Sequence, residues 1–221
     1  MLTFTPNFAV IAETAGTFSI ADMERETGVY SANPEFVRAN CGPIANRLLD
    51  LIPGAYYDKA ERLKLWPNCD VRIHRLYPGD FPAYPGWHCD GEFRETYFAQ
   101  PDLDRIGVSD HITATVSTGQ VCSPQFLDEA FCCEVDNASD VALWGQVDCA
   151  LLKRQRRLVW DSRDGQMVQF DCRTLHRAMP ALTRGWRLFF RMSMWHKPNL
   201  GNGGMVTRQE QVYKLAEFGG W

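Results

Sequence analysis

The chain lacks most of the features that assign a protein to a class at first sight. No apolar run in its 221 residues approaches the length needed to cross a bilayer, so no membrane span is expected. An excess of basic charge is missing too. With 23 Lys and Arg against 27 Asp and Glu, the net charge is -4, which gives no electrostatic case for nucleic acid as an obligate partner. The one basic run, Lys153-Arg154-Gln155-Arg156-Arg157, reads as a solvated strand edge. Eight cysteines are present, but none forms a C-x-x-C unit and Cys132 and Cys133 are adjacent, which argues against a zinc framework. The segment from Met1 to Pro6 has no basic-then-apolar pattern of a secretory signal, so a reducing cytoplasm is the expected compartment. In that setting the thiols serve mostly as small buried apolar groups. No repeat or low-complexity linker divides the chain, and one domain spanning 1–221 is expected.

Histidine is scarce, with five in all, and its placement carries the chemistry. His88 and Asp90 flank Cys89 in Trp87-His88-Cys89-Asp90. In an extended segment, residues i and i+2 share a face, so the imidazole and the carboxylate can reach one metal while Cys89 turns away. The third ligand must come from elsewhere, and His176 in His176-Arg177-Ala178-Met179-Pro180 is the best candidate. It follows an apparent hairpin in which Arg157 to Asp161 and Gln166 to Asp171 alternate around Ser162-Arg163-Asp164-Gly165. Two histidines and one carboxylate are the ligand inventory of a mononuclear non-haem Fe(II) site with open coordination positions. Downstream, the apolar strand from Arg187 to Trp195 begins with a guanidinium. Such a cation needs an anionic partner in an apolar interior, and a dicarboxylic co-substrate provides one.

These segments, in this order, resemble the 2-oxoglutarate and Fe(II)-dependent oxygenase superfamily, nearest to its prolyl-hydroxylase-like and phytanoyl-CoA-hydroxylase-like branches. The resemblance rests on Tyr77-Pro78-Gly79-Asp80 through Gly91, Gly165 to Phe170, His176 to Pro180 and Gly185-Trp186-Arg187. It implies that His88, Asp90 and His176 bind Fe(II), that Arg187 binds the distal carboxylate of 2-oxoglutarate, and that Tyr77 hydrogen-bonds to that co-substrate. Arg191, on the same strand face, is the alternative anchor, and the loop residue Arg184 is less suited. In halogenating members a small residue replaces the carboxylate ligand. Asp90 is retained here, so hydroxylation or a related oxidation is implied, with O2 consumed and succinate and CO2 formed.

The expected architecture is mainly β with flanking α-helices, built on a double-stranded β-helix of the jelly-roll, cupin-like kind. Residues 1–66 hold the main helices, with Asn33-Pro34 as a helix start, Gly42-Pro43 as a break and an apolar stripe of Val37, Cys41, Ile44, Leu48 and Leu51. Residues 67–198 form the strands: Val71 to Tyr77, His111 to Val116, Val141 to Trp144 and Leu151-Leu152 are candidates. In 199–221, Gly201 to Gly204 is a turn and Thr207 to Glu210 caps a helix carrying Val212, Leu215 and Ala216. His74, His111 and His196 are structural or substrate-lining. Trp87, Phe93, Tyr97 and Trp186 are candidate apolar walls, and Arg94 and Arg173 candidate anion contacts. A small-molecule substrate, an amino acid or natural-product intermediate, is favoured. The alternatives are the same chemistry on a nucleobase or protein side chain, and a metal- or ligand-binding β-barrel without turnover.

Overall fold

The computed structural model describes residues 1–14, 17–96, 98–103, 110–119, 122–195, 205–207 and 213–214. Its elements run β1 (Leu2–Phe4), β2 (Phe8–Glu13), α1 (Ile20–Glu24), β3 (Gly28–Ala32), α2 (Pro34–Asn40), α3 (Pro43–Asp50) and α4 (Gly54–Leu63). They continue through β4 (Trp66–Leu76), β5 (Asp80–Phe81), β6 (Asp110–Ser117), β7 (Gln125–Leu127), β8 (Phe131–Cys133), α5 (Asp140–Leu152) and β9 (Val159–Asp161). The last are β10 (Gln166–Asp171), β11 (His176–Arg177), β12 (Gly185–Trp195), β13 (Met205–Thr207) and β14 (Tyr213–Lys214).

A seven-stranded antiparallel sheet, in the order β13-β3-β4-β12-β6-β10-β2, is the frame. Along its central strands β4, β12 and β6 two faces separate by residue parity, and register shifts interrupt the pairing of β10 with β2 and of β3 with β4. Cys69, Val71, Ile112, Ala114, Val116, Leu188, Phe190 and Met192 lie on the outer face and pack with Val37, Ile44, Leu48 and Tyr56 of the helices α2, α3 and α4. The other parity carries Asp70, His74, His111, Thr113, Thr115, Arg187 and Ser193, all buried polar groups. Over this inner face sits a three-stranded sheet, β11-β7-β9, joined to it through Phe126, Val168, Phe170, Phe8 and Trp160. Behind the smaller sheet, α5 closes a second apolar cluster with Leu143, Trp144, Val147 and Leu151 against Phe4, Trp87 and Leu127.

The helix signals hold locally. Asn33 accepts from Phe36 N–H at 2.7 Å with Pro34 at the first helical position, and Pro43 opens the next helix. Four expectations change. Val141 to Trp144 and Leu151-Leu152, read as strands, are parts of α5. Short apolar runs do not distinguish a strand from a buried helix, and here Leu143, Val147 and Leu151 recur on one helical face. The expected hairpin does not pair with itself: β9 joins β7, whereas β10 joins β2 and β6. Alternation specifies a strand, not its partner. The turn between them survives, with Gly165 at φ 83, and carries the chain from one sheet to the other. The basic run after α5 is an exposed loop rather than a strand edge. At the C-terminus, the described part of the expected helix is instead β13 beside β3 and β14 beside β5; Gly201 to Gly204, His196 and Tyr97 lie outside the described residues. All eight thiols are free, and among the described residues no helix is long and apolar enough to cross a membrane.

Candidate metal centre and its cavity

His88 and His176 face each other across an isolated antiparallel bridge closed by two backbone hydrogen bonds. His88 N–H donates to His176 O at 3.0 Å and His176 N–H to His88 O at 2.9 Å. Directly opposed residues in such a pair project side by side, and the ring centroids are 4.6 Å apart. The segment around His88 is otherwise an extended loop, not the strand expected, yet its alternation persists. Cys89 turns into the apolar cluster beneath α5 while Asp90 turns inward. Gly91 then adopts φ 70, a left-handed conformation that a side chain disfavours, and turns the chain away from the site.

The ligand atoms of His88, Asp90 and His176 lie within 4.8 Å of one another. Both imidazoles have their tautomers set by backbone carbonyls: Nδ1–H of His88 donates to Gly86 O at 2.8 Å, and Nδ1–H of His176 to Thr174 O at 3.1 Å. Each Nε2 lone pair is thereby left for a metal, the usual way a ligating histidine is oriented. Burial, with His176 nearby, lowers the His88 pKa to about 4, so the ring is neutral at neutral pH. Burial alone would raise the Asp90 pKa, but the Arg191 guanidinium and the adjacent histidines outweigh it and hold the carboxyl well below its ordinary range. The neutral His88 imidazole, the Asp90 carboxylate and the Nε2 side of His176 therefore converge, and the set fits a divalent ion with bonds of about 2 Å.

Asp90 is clamped from behind. Arg191 reaches its Oδ2 at 2.5 Å and holds Asp70 Oδ2 at 2.6 Å, while Asp70 Oδ1 accepts from Ser31 N–H at 2.9 Å. His111 donates from Nε2 to the Asp90 carbonyl at 3.0 Å and its Nδ1 accepts from Ser193 Oγ at 2.7 Å. Burial lowers the His111 pKa to about 4, so it is a neutral support under the ligand loop.

A cavity of about 500 Å³ opens onto these residues. Arg187 lines it, 4% exposed, and donates to Cys122 O at 3.2 Å and Thr115 Oγ1 at 3.3 Å. Among the described residues no carboxylate lies within ion-pair distance of it. His74 is the cross-strand neighbour of Arg187, 3% exposed, with neither ring nitrogen hydrogen-bonded. Burial, then Arg187 and Arg72, lower its pKa to about 3.

The remaining candidates separate clearly. Arg191 lines the same cavity but is already engaged by two carboxylates, which leaves it unsuited to anchor a dicarboxylate. Tyr77 is 46% exposed, and the Arg184 guanidinium stands 5.2 Å from its ring centroid. Tyr77 lies just past the end of β4 and does not line the cavity. Arg94 pairs with Glu92 at 3.4 Å and donates to the Ala138 carbonyl, and Arg173 pairs with Asp171 at 3.9 Å, so both serve the loops that hold the site. Of the aromatic candidates, Trp87 is wholly buried under Arg177, and the cavity walls are instead Tyr84, Trp144 and Phe189. Arg72, Asp70 and the clamp on Asp90 were not anticipated. Their only signal was the parity of β4, which puts residues 70, 72 and 74 on one face.

No family model and no curated protein matches the chain. Among solved structures it is similar to the non-heme monooxygenase ThoJ at 15% identity, covering 94% of this chain and 82% of that one, with TM-scores of 0.39 for the nickel complex and 0.40 for the apo form. It is also similar to EvdMO1 at 13% identity over 59% of this chain, with a TM-score of 0.34, and spans 27% of that longer chain.

Proposed function

We propose that the protein is an Fe(II)- and 2-oxoglutarate-dependent dioxygenase that hydroxylates an unactivated C–H bond of a small molecule. One observation carries this reading: a buried guanidinium with no carboxylate in ion-pair distance among the described residues shares a cavity with a triad of two imidazoles and a carboxylate. A metal alone accounts for the triad but leaves Arg187 without an ion-pair partner among the described residues. A co-substrate with a carboxylate at each end accounts for both.

His88, Asp90 and His176 would hold the ion. When bound, iron with 2-oxoglutarate supplies the oxidation and releases succinate and CO2. The chain's own work is placement. Arg187 and Thr115 orient the distal carboxylate, and His74 offers a further neutral donor beside them. Arg187 lies four residues along β12 from Arg191, roughly 13 Å at the rise of a strand, which leaves room for a five-carbon diacid. Tyr84, Trp144 and Phe189 keep water from the reacting centre. Asp90, as a carboxylate, fills the position a halide would need, which favours hydroxylation. The facing seven- and three-stranded sheets support a double-stranded β-helix as the scaffold.

The test is anaerobic addition of Fe(II) and 2-oxoglutarate, followed by the visible charge-transfer band of the chelate. His176→Ala and Asp90→Ala should abolish the band; its persistence in either variant removes that residue from the metal. Succinate release across a substrate panel then separates an oxygenase from a barrel that binds metal without turnover.

A further inference from the structure

We propose that Arg72 is the anchor for the organic substrate, so that the molecule oxidised here is a small acid held by a carboxylate or phosphate oxyanion. This deepens the iron and 2-oxoglutarate reading and rests on it.

The charges around the cavity do not cancel. Its two acids are each engaged: Asp90 with Arg191 at 2.5 Å, and Glu92 with Arg94 at 3.4 Å. Of the remaining cations, Arg177 donates to Gln125 Oε1 at 2.9 Å and its guanidinium lies 4.7 Å from the Trp87 ring centroid, so it is held in the wall. Arg187 belongs to the co-substrate. Arg72 is left over, with no ion pair and no hydrogen bond among the described residues. A diacid that spends one carboxylate on the metal and the other on Arg187 has none for a third cation.

Position agrees with this. Arg72 faces the cavity from β4 between Asp70 and His74, opposite Phe189 on β12. It stands one inward position, roughly 7 Å, from the row that holds Arg191 and one from the row that holds Arg187. An oxyanion there would sit beside the triad rather than on it. Arg72 is also half-buried where Arg187 is enclosed, so it meets solvent at the cavity's open side. In a protein of net charge -4, a cavity with surplus guanidinium groups draws anions toward itself. Trp144 and Phe189 give the rest of such a molecule an apolar wall.

The protein loaded with Fe(II) and 2-oxoglutarate under nitrogen is titrated calorimetrically with matched pairs. Amino acids, 2-hydroxy acids and aromatic and branched-chain acids are each set against their primary amides, and phosphate monoesters against their parent alcohols. The expected result is at least one pair in which the charged member binds about tenfold or more tightly, as loss of a charge-assisted contact implies. Which kind of pair shows the gap identifies the oxyanion. Arg72→Gln should erase the gap, Arg72→Lys should keep much of it, and both should bind 2-oxoglutarate within about twofold of the parent protein. The proposal is overturned by the absence of any such pair, by a gap that survives in Arg72→Gln, or by a loss of 2-oxoglutarate affinity in Arg72→Gln that matches Arg187→Leu. Failure of the underlying reading looks different: no charge-transfer band forms, and Arg187→Leu leaves 2-oxoglutarate binding unchanged. The same pairs run on metal-free protein report the oxyanion site in that case.

Discussion

Arg187 and His74 stand directly opposite each other on β12 and β4, both buried, and among the described residues neither meets a carboxylate within ion-pair distance. A fold that only needed stability would not retain this pair. An unpaired buried guanidinium costs several kcal/mol of desolvation, and an imidazole without hydrogen bonds adds to that cost. The arrangement makes sense if an anion completes it.

Replacing Arg187 by Met therefore separates function from stability. Affinity for 2-oxoglutarate should fall by about two orders of magnitude, because a charge-assisted contact to a carboxylate is lost in an enclosed site. The unfolding free energy of the ligand-free protein should stay level or rise, since a similar apolar volume replaces a buried charge with no ion-pair partner among the described residues. Calorimetric titration and urea unfolding read the two quantities. A destabilised variant that still binds the diacid normally would make Arg187 a structural residue.

The buried histidines set a pH dependence with a definite sign. Burial lowers His74 to about 3 and His88 and His111 to about 4. The unfolded chain takes up these protons near pH 6.5, whereas the native state resists until pH 3 to 4. Stability is thus fully present above pH 6.5 and falls as the pH drops, by about 2 kcal/mol per histidine at pH 5. For metal-free protein, urea unfolding at pH 7, 6 and 5 should show this slope. His74→Leu should be shallower by one proton; a curve parallel to the parent's would show that His74 does not resist protonation in the folded state.

The candidate triad was legible because its chemistry and its local alternation both survive without knowledge of the partner strand. Cys89 turning outward between His88 and Asp90 needs only an extended backbone. What joins the halves of the site was not legible. Arg191 meets Asp70 because β4 and β12 pair in one particular register, and no local pattern encodes that register. The parity of β4 was available, however. Val71 and Ile73 alternate with Asp70, Arg72 and His74. The helix α5 escaped for another reason: Leu and Ala at short spacing suit a buried helix as well as a strand.

Gly91 gives a test of how much the turn after Asp90 matters. At φ 70, an alanine there should cost about 1 to 2 kcal/mol through backbone strain. Relief of that strain moves the adjacent carboxylate, so Fe(II) affinity should fall in Gly91→Ala beyond what the stability loss explains. Metal titration of folded variant at low temperature distinguishes the two. Unchanged affinity would confine Gly91 to the turn itself.

The Asp70–Arg191–Asp90 clamp predicts that metal and arginine share one job. In the metal-free protein Arg191 neutralises the buried Asp70 and the half-buried Asp90 at 2.6 and 2.5 Å, and those carboxylates in turn raise its own pKa despite burial. Arg191→Met leaves both acids without a counter-charge and should cost about 3 kcal/mol or more. A divalent ion bound at His88, Asp90 and His176 would restore the counter-charge of Asp90 but not of Asp70. The loss should therefore shrink when metal is present, and shrink again when Asp70→Asn is added. Denaturant unfolding of the parent, the single and the double variant, each with and without Mn(II), gives the comparison. An equal loss in all conditions would mean that Arg191 stabilises the sheet through its packing, and that Asp90 is held in place by His111 and the backbone instead.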